Sequence, residues 1–168
     1  MTERLELAHP DFVTIDTIGL PGQRTFYLQA TQGDVLVTVL IEKEHAAAFA
    51  VTAHAMLDEI GRPPMEPSAD SMGLIQPVEA LFRARQISLG YDQVRDRLVI
   101  VAEGFPSKEE LPFEVRIWIT REQTAALARQ SASAVEAGRP TCPLCNEVIL
   151  PGEPHICVRG NGRKHAQV

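Results

Sequence analysis

The stretch ITREQTAALA (119–128) repeats IEKEHAAAFA (41–50) at an offset of 78 residues. Each copy follows a run of alternating apolar residues: Val35, Val37, Val39 and Ile41 in one case, Val115, Ile117 and Ile119 in the other. Alternation with period two marks a strand with one buried face. Past the quoted stretches the period changes. Ala46, Phe49, Ala50, Ala53, Met56, Leu57 and Ile60 recur at spacings of three and four, and Leu127, Ala128, Ser131 and Val135 do the same in the second copy. Each set makes one apolar helical stripe. Thr120, ahead of Arg121, Glu122 and Gln123, suits an N-cap whose hydroxyl takes an orphan amide. Both helices end in GRP, at 61–63 and 138–140. Gly61 and Gly138 suit the left-handed position after a helix, and the prolines prevent continuation.

Upstream of each alternating run lie TIGLPGQRTFYLQA (17–30) and ISLGYDQVRDRLVIVA (87–102), each a strand, a glycine-bearing turn and a second strand. The unit is therefore strand, strand, strand, helix, made twice, with repeats at about 11–63 and 81–140. This predicts an α+β fold: duplicated βββα units forming an antiparallel sheet covered on one face by two helices. Ala-rich stripes imply close helix-to-sheet contact. RPPMEPSADSMGLIQP (62–77) and EGFPSKEELP (103–112) read as loops. The body is assigned to residues 1–140 and a separate tail to 141–168.

All three cysteines lie in the last 27 residues, in CPLCNEVILPGEPHICVRGNGRKH (142–165). Cys142 and Cys145 have the spacing of a zinc knuckle, in which a tight turn brings two thiolates to one ion. Cys157 supplies a third thiolate after a loop that Pro151 and Gly152 can reverse. His155 is the preferred fourth ligand, because two residues from Cys157 on an extended segment its side chain points the same way. His165 is the rival, reaching back from the RGNGRKH turn. A redox dithiol fits less well, since no βαβ context surrounds the CxxC and a third Cys with two His exceeds what a dithiol needs. Three thiolates and one imidazole close the shell with a formal charge of −1, which suits structural zinc rather than catalytic zinc.

The tail pattern CPLC, then HIC, then an Arg and NG, after GRP, resembles an uncharacterised bacterial family met chiefly in actinobacteria and Chloroflexi and classed as a domain of unknown function. The resemblance extends to DTIGLPGQRTFYLQA (16–30) and LGYDQVRDRLVIVAEG (89–104). It implies a zinc-binding tail and brings no activity with it. Genes of that family lie near those of a histidine-phosphatase-like and a phosphoinositide-kinase-like protein, which implies a shared pathway without specifying chemistry.

Composition narrows the partners. Residues 1–137 carry 12 Lys and Arg against 20 Asp and Glu, a net of −8, while 138–168 carry a net of +2. So acidic a body disfavours nucleic-acid phosphates and anionic lipid, leaving Arg159, Arg163 and Lys164 in the tail as local anion contacts. No apolar run of about 18 residues exists to span a bilayer. The odd cysteine count and polar start point to a cytoplasmic protein with reduced thiols. Arg83, Arg85, Arg95, Arg97 and Arg116 belong to the second repeat. Of these, Arg83, Arg85, Arg97 and Arg116 are the candidate anion-binding set, against the plainer reading of a solvated face paired with Asp92, Asp96 and Glu114. Trp118 shares the face of Arg116. His45 and His54 lack the nucleophile, phosphate loop or carboxylate pair that would make them catalytic. Three functions follow in order: an interaction or adaptor protein docking through a zinc-folded tail onto a protein partner, a nucleic-acid-binding module using that tail, and an enzyme or small-anion binder using the arginine face.

Overall fold

The structure is a computed structural model. It describes residues 2–64, 72–106, 111–137, 142–145, 147, 149 and 154–160, with the backbone of 164–165. The expected Gly138 terminus, the middle of the first loop and the tip of the second lie outside the described residues. The body contains strands β1 (Glu3–Leu7), β2 (Phe12–Ile18), β3 (Thr25–Gln32) and β4 (Val35–Ile41), then helix α1 (Lys43–Ile60). It continues with β5 (Phe82–Asp92), β6 (Arg97–Phe105), β7 (Phe113–Ile119) and helix α2 (Arg121–Glu136). Three strands followed by a helix therefore occur twice, with β1 added in front. In the tail, β8 (His155–Ile156) pairs with β9 (Lys164–His165).

The seven body strands form one sheet in the order β1-β7-β6-β5-β4-β3-β2. Within each repeat neighbours are antiparallel, as alternation and short turns dictate. Two pairings are parallel, β4 with β5 and β1 with β7, so the sheet is mixed. The first follows from the helix between them, because a strand re-entering after a helical crossover returns in the same direction. The second involves a strand outside the repeat. In β1 only Leu7 is buried, and its short RLEL alternation lies in a charged stretch.

Chain length then dictates shape. Strands β1 and β2 are opposite edges, which six steps of about 4.8 Å would hold about 29 Å apart in a flat sheet. Yet the five Cα steps from Leu7 to Phe12 reach at most about 18 Å. The sheet must therefore curl until its edges approach. The helices show the same closure. Helix α2 follows β7 but lies along β2, where the Gln123 side-chain amide donates to the Pro10 carbonyl (2.9 Å) and Arg24 to the Ala134 carbonyl (3.2 Å). Helix α1 follows β4 but lies along β5. Each repeat's helix thus covers the other repeat's strands.

The inner face is apolar in register. Ile15, Leu28, Val39 and Phe82 form one row across four strands, all nearly inaccessible. Leu57 and Leu127 from the two helices are fully buried, each contributing about 1.5–3 kcal/mol by the usual transfer scale. Alanines 46, 53 and 128 let the helices approach closely, and the buried Ser131 hydroxyl donates to the Ala46 carbonyl at 2.7 Å. Equivalent positions cap the two helices. The Glu42 amide donates to His45 Nδ1 (3.1 Å), and the Thr120 amide to Gln123 Oε1 (3.0 Å), with Thr120 Oγ1 accepting from the Gln123 amide. Gly61 ends α1 with φ 106° and ψ 127°, open to glycine but extended in ψ rather than in the left-handed helical conformation expected there.

On the outer face Thr14, Gln29 and Thr38 form a buried polar row across β2, β3 and β4. The chain leading to β5 satisfies it. Gln29 donates to the Ile75 carbonyl (2.9 Å) and to Thr38 Oγ1 (3.1 Å) and accepts from the Ile75 amide (2.7 Å), while Thr14 donates to the Met72 carbonyl.

Candidate metal centre

The tail builds its own small core. Cys142, Cys157 and Ile149 are buried together with Cys145 against them, a cluster separate from that of the body. Residues 143–145 form the turn between the first two thiols, and the Cys142 amide donates to the Glu147 carbonyl at 2.9 Å. Backbone amides of the turn point at the Cys142 sulfur. The amide of Cys145, joined by that of Leu144, holds the Cys142 thiol down at about 6, against the opposing push of burial. The shift favours the Cys142 thiolate, the form that ligates a metal. At Cys145 the Glu147 amide pulls down as well, but burial and the neighbouring Cys142 and Cys157 sulfurs outweigh it, and the thiol is raised.

One ligand atom each from Cys142, Cys145, His155 and Cys157 lies within 4.8 Å of all the others. Cys145 Sγ stands 3.3 Å from His155 Nε2. A tetrahedron with metal–sulfur bonds of about 2.3 Å has edges of about 3.8 Å, so the set has the size and the donor chemistry for zinc. No disulfide competes for the three thiols. Strand β8 delivers His155 and leads to Cys157, and its partner β9 sets His165 opposite His155 in register. The His165 side chain, the rival ligand, lies outside the described residues, as do the side chains of Arg163 and Lys164. Arg159 donates to the Leu144 carbonyl at 3.4 Å, tying the third-ligand end of the segment to the knuckle.

The chain matches the family model described as "Protein of unknown function (DUF3090)" over residues 5–157. It belongs to that family. The segment matched to DUF3090 includes both repeats and all four clustered ligand residues. No curated protein and no solved structure matches the chain.

The arginines of this DUF3090 member are dispersed along the second repeat. Arg83 pairs with Glu42 (3.2 Å), Arg85 lies over the Phe105 ring (5.4 Å), Arg97 donates to the Asp96 carbonyl (3.1 Å) and Arg116 pairs with Glu114. Arg83 stands opposite Phe105, and Arg97 lies eight residues further along β6, about 26 Å away at strand rise. Arg83 and Arg97 therefore do not meet around one small anion. Arg95 stacks 4.3 Å from the centre of the Trp118 ring, whose Nε1 donates to Glu6 (2.7 Å). His45 serves as a capping acceptor, and His54 stands 3.5 Å from Arg62.

Arg121 escaped the sequence reading. Its guanidinium bonds to Asp96 (2.7 Å), the Tyr91 hydroxyl (3.2 Å) and the carbonyls of Ile60 (2.7 Å) and Gly61 (3.0 Å). The hydrogen bond from Arg121, then that from Tyr91, lowers the Asp96 carboxyl. No helix among the described residues is long and apolar enough to cross a membrane.

Proposed function

We propose that the chain is an interaction or adaptor protein whose tail is folded by a structural zinc ion. The observation that carries this reading is the closed donor set: three sulfurs and one imidazole nitrogen mutually within 4.8 Å. Such a set fills a tetrahedron without leaving a position for water, and a bound ion would supply cross-linking rather than Lewis-acid chemistry. The chain's own residues do the rest. Cys142 and Cys145 hold one side from a rigid turn, and His155 and Cys157 the other from an extended segment. Ile149 and the buried sulfurs exclude water from the centre.

Among the described residues the tail has no apolar core beyond this cluster, yet Leu144, Ile156 and Val158 are exposed, Val158 at 79%. Apolar side chains displayed on a metal-fixed scaffold suit protein docking. A reducing cytoplasmic compartment would keep the thiols available.

The test compares the full chain with one ending at Gly138. Thermal unfolding should report a folded body in both, and a partner recovered by the full chain should be lost by the short one. A short chain that keeps every partner overturns the docking role. Tail-dependent binding of duplex or single-stranded nucleic acid at 150 mM salt would replace it with the nucleic-acid reading.

A further inference from the structure

Strand β5 continues well past its neighbour. Its pairing with β6 runs from Arg83 to Asp92, but β4 meets it only at Phe82 and Arg83. In an antiparallel ladder alternate residues turn both backbone groups away from the partner strand. Among the described residues, nothing pairs with the groups that Gln86–Tyr91 turn away from β6. Helix α1 runs beside this open edge. A groove separates the two, a cavity of about 180 Å³ between His45, Ala48, Phe49 and Thr52 of α1 and Ile87, Ser88 and Leu89 of β5. Consecutive strand residues face opposite sides of a sheet, so a cavity touching three in a row lies at the strand's edge.

The duplication supplies an internal comparison. From residue 46 to 57 helix α1 carries no Asp, Glu, Lys or Arg, and Ala48, Val51, Thr52 and Ala55 are exposed. At the positions equivalent to Ala48, Val51, Thr52 and Ala55, helix α2 carries Ala126, Arg129, Gln130 and Ser133, so the second copy places one charge there and the first none. A solvated helix face ordinarily carries charged residues. The wall of the groove departs from that rule beside the open edge.

We propose that this groove binds an extended peptide of a partner protein, added to the sheet as a strand against β5. Backbone pairing along Gln86–Tyr91 holds the peptide, and an apolar side chain from it enters the cavity over Phe49, Ile87 and Leu89. Helix α1 brings no Asp, Glu, Lys or Arg to the groove, which favours a peptide without charge on that side. A second copy of this chain fits poorly, since its own β5 is walled on the same edge by its own α1. The site lies on the body, so it stands or falls independently of the metal centre.

The experiment selects a phage-displayed random decapeptide library on the full chain, then measures the best clone as a synthetic peptide. Enriched sequences should alternate apolar residues, and the bound peptide should slow amide exchange at alternate positions within Gln86–Tyr91. T52R and A48R, both at exposed positions, should weaken binding about tenfold or more while leaving the unfolding midpoint in place. Should either variant fail to fold, peptides N-methylated at alternate backbone positions give the same reading on the unaltered chain, with one alternate set abolishing binding and the other sparing it. No enriched peptide, binding that leaves the β5 amides unprotected, or binding indifferent to N-methylation overturns the proposal. So does a concentration-dependent dimer lost in T52R, which would assign the edge to a second copy.

Discussion

Arg121 Nη1 lies 2.7 Å from the carbonyl oxygen of Ile60, so the first residue of the second repeat's helix closes the last turn of the first repeat's helix. Helix ends leave carbonyls without partners, and α1 has no basic residue in its last turn to serve them. The same guanidinium reaches Asp96 in the β5–β6 turn, so three elements meet at one side chain. Packing around it is tight: a Cβ added at Gly61 would sit 2.9 Å from Nη1, at a φ that already disfavours one. R121A should therefore lower the melting temperature, and R121K should recover only part of the loss, because one ammonium cannot serve both carbonyls and the carboxylate in a planar fork.

The Asp96 contact predicts a pH dependence. Arg121 lowers the folded-state pKa of Asp96, so the stabilisation is present above the unfolded value of about 3.9 and is lost as pH falls through the folded value. Unfolding of the unaltered chain and of D96N, measured from pH 7 downward, should differ at neutral pH and converge in acid. A gap that widens in acid would contradict this sign.

Ser131 occupies the position equivalent to Ala53 and spans the helix interface to Ala46. S131A removes one buried hydrogen bond while Ala46 keeps its helical one, so urea unfolding should show a loss of about 0.5–1.5 kcal/mol. S131L should cost more, about 1–3 kcal/mol, because alanines on the facing helix leave no room.

Gln29 binds both backbone groups of Ile75 with one side-chain amide. Q29L fills similar volume but strands those groups, and should cost about 1–3 kcal/mol in the same assay. It should also speed amide exchange at Ile75.

These interactions mark the boundary of what the sequence made legible. Periodicity exposed both helices and the six repeated strands, because local patterns encode local structure. Strand β1 escaped, since only Leu7 of its five residues is buried and Arg4 and Glu6 make its outer face with Glu114 and Trp118. Alternation says nothing of strand direction, so the parallel pairings, the curl and the exchange of helices between repeats had no local signal. Arg121 and Gln29 act on residues far along the chain, and their partners are backbone groups that any sequence carries. The metal cluster was readable because thiols and imidazoles are scarce here and gathered together.

The choice between the two histidines yields its own test. H155A should lower bound zinc from about one equivalent to a small fraction, and H165A should retain it, as a four-ligand shell through His155 requires. Loss of metal in H165A with retention in H155A would transfer the fourth position to His165.

The most direct measurement is the zinc content of the full chain purified without added metal, by elemental analysis. About one equivalent per chain, released together with the order of residues 142–157 when a chelator is added, is the expected result. A tail that is fully ordered and free of metal would contradict the account.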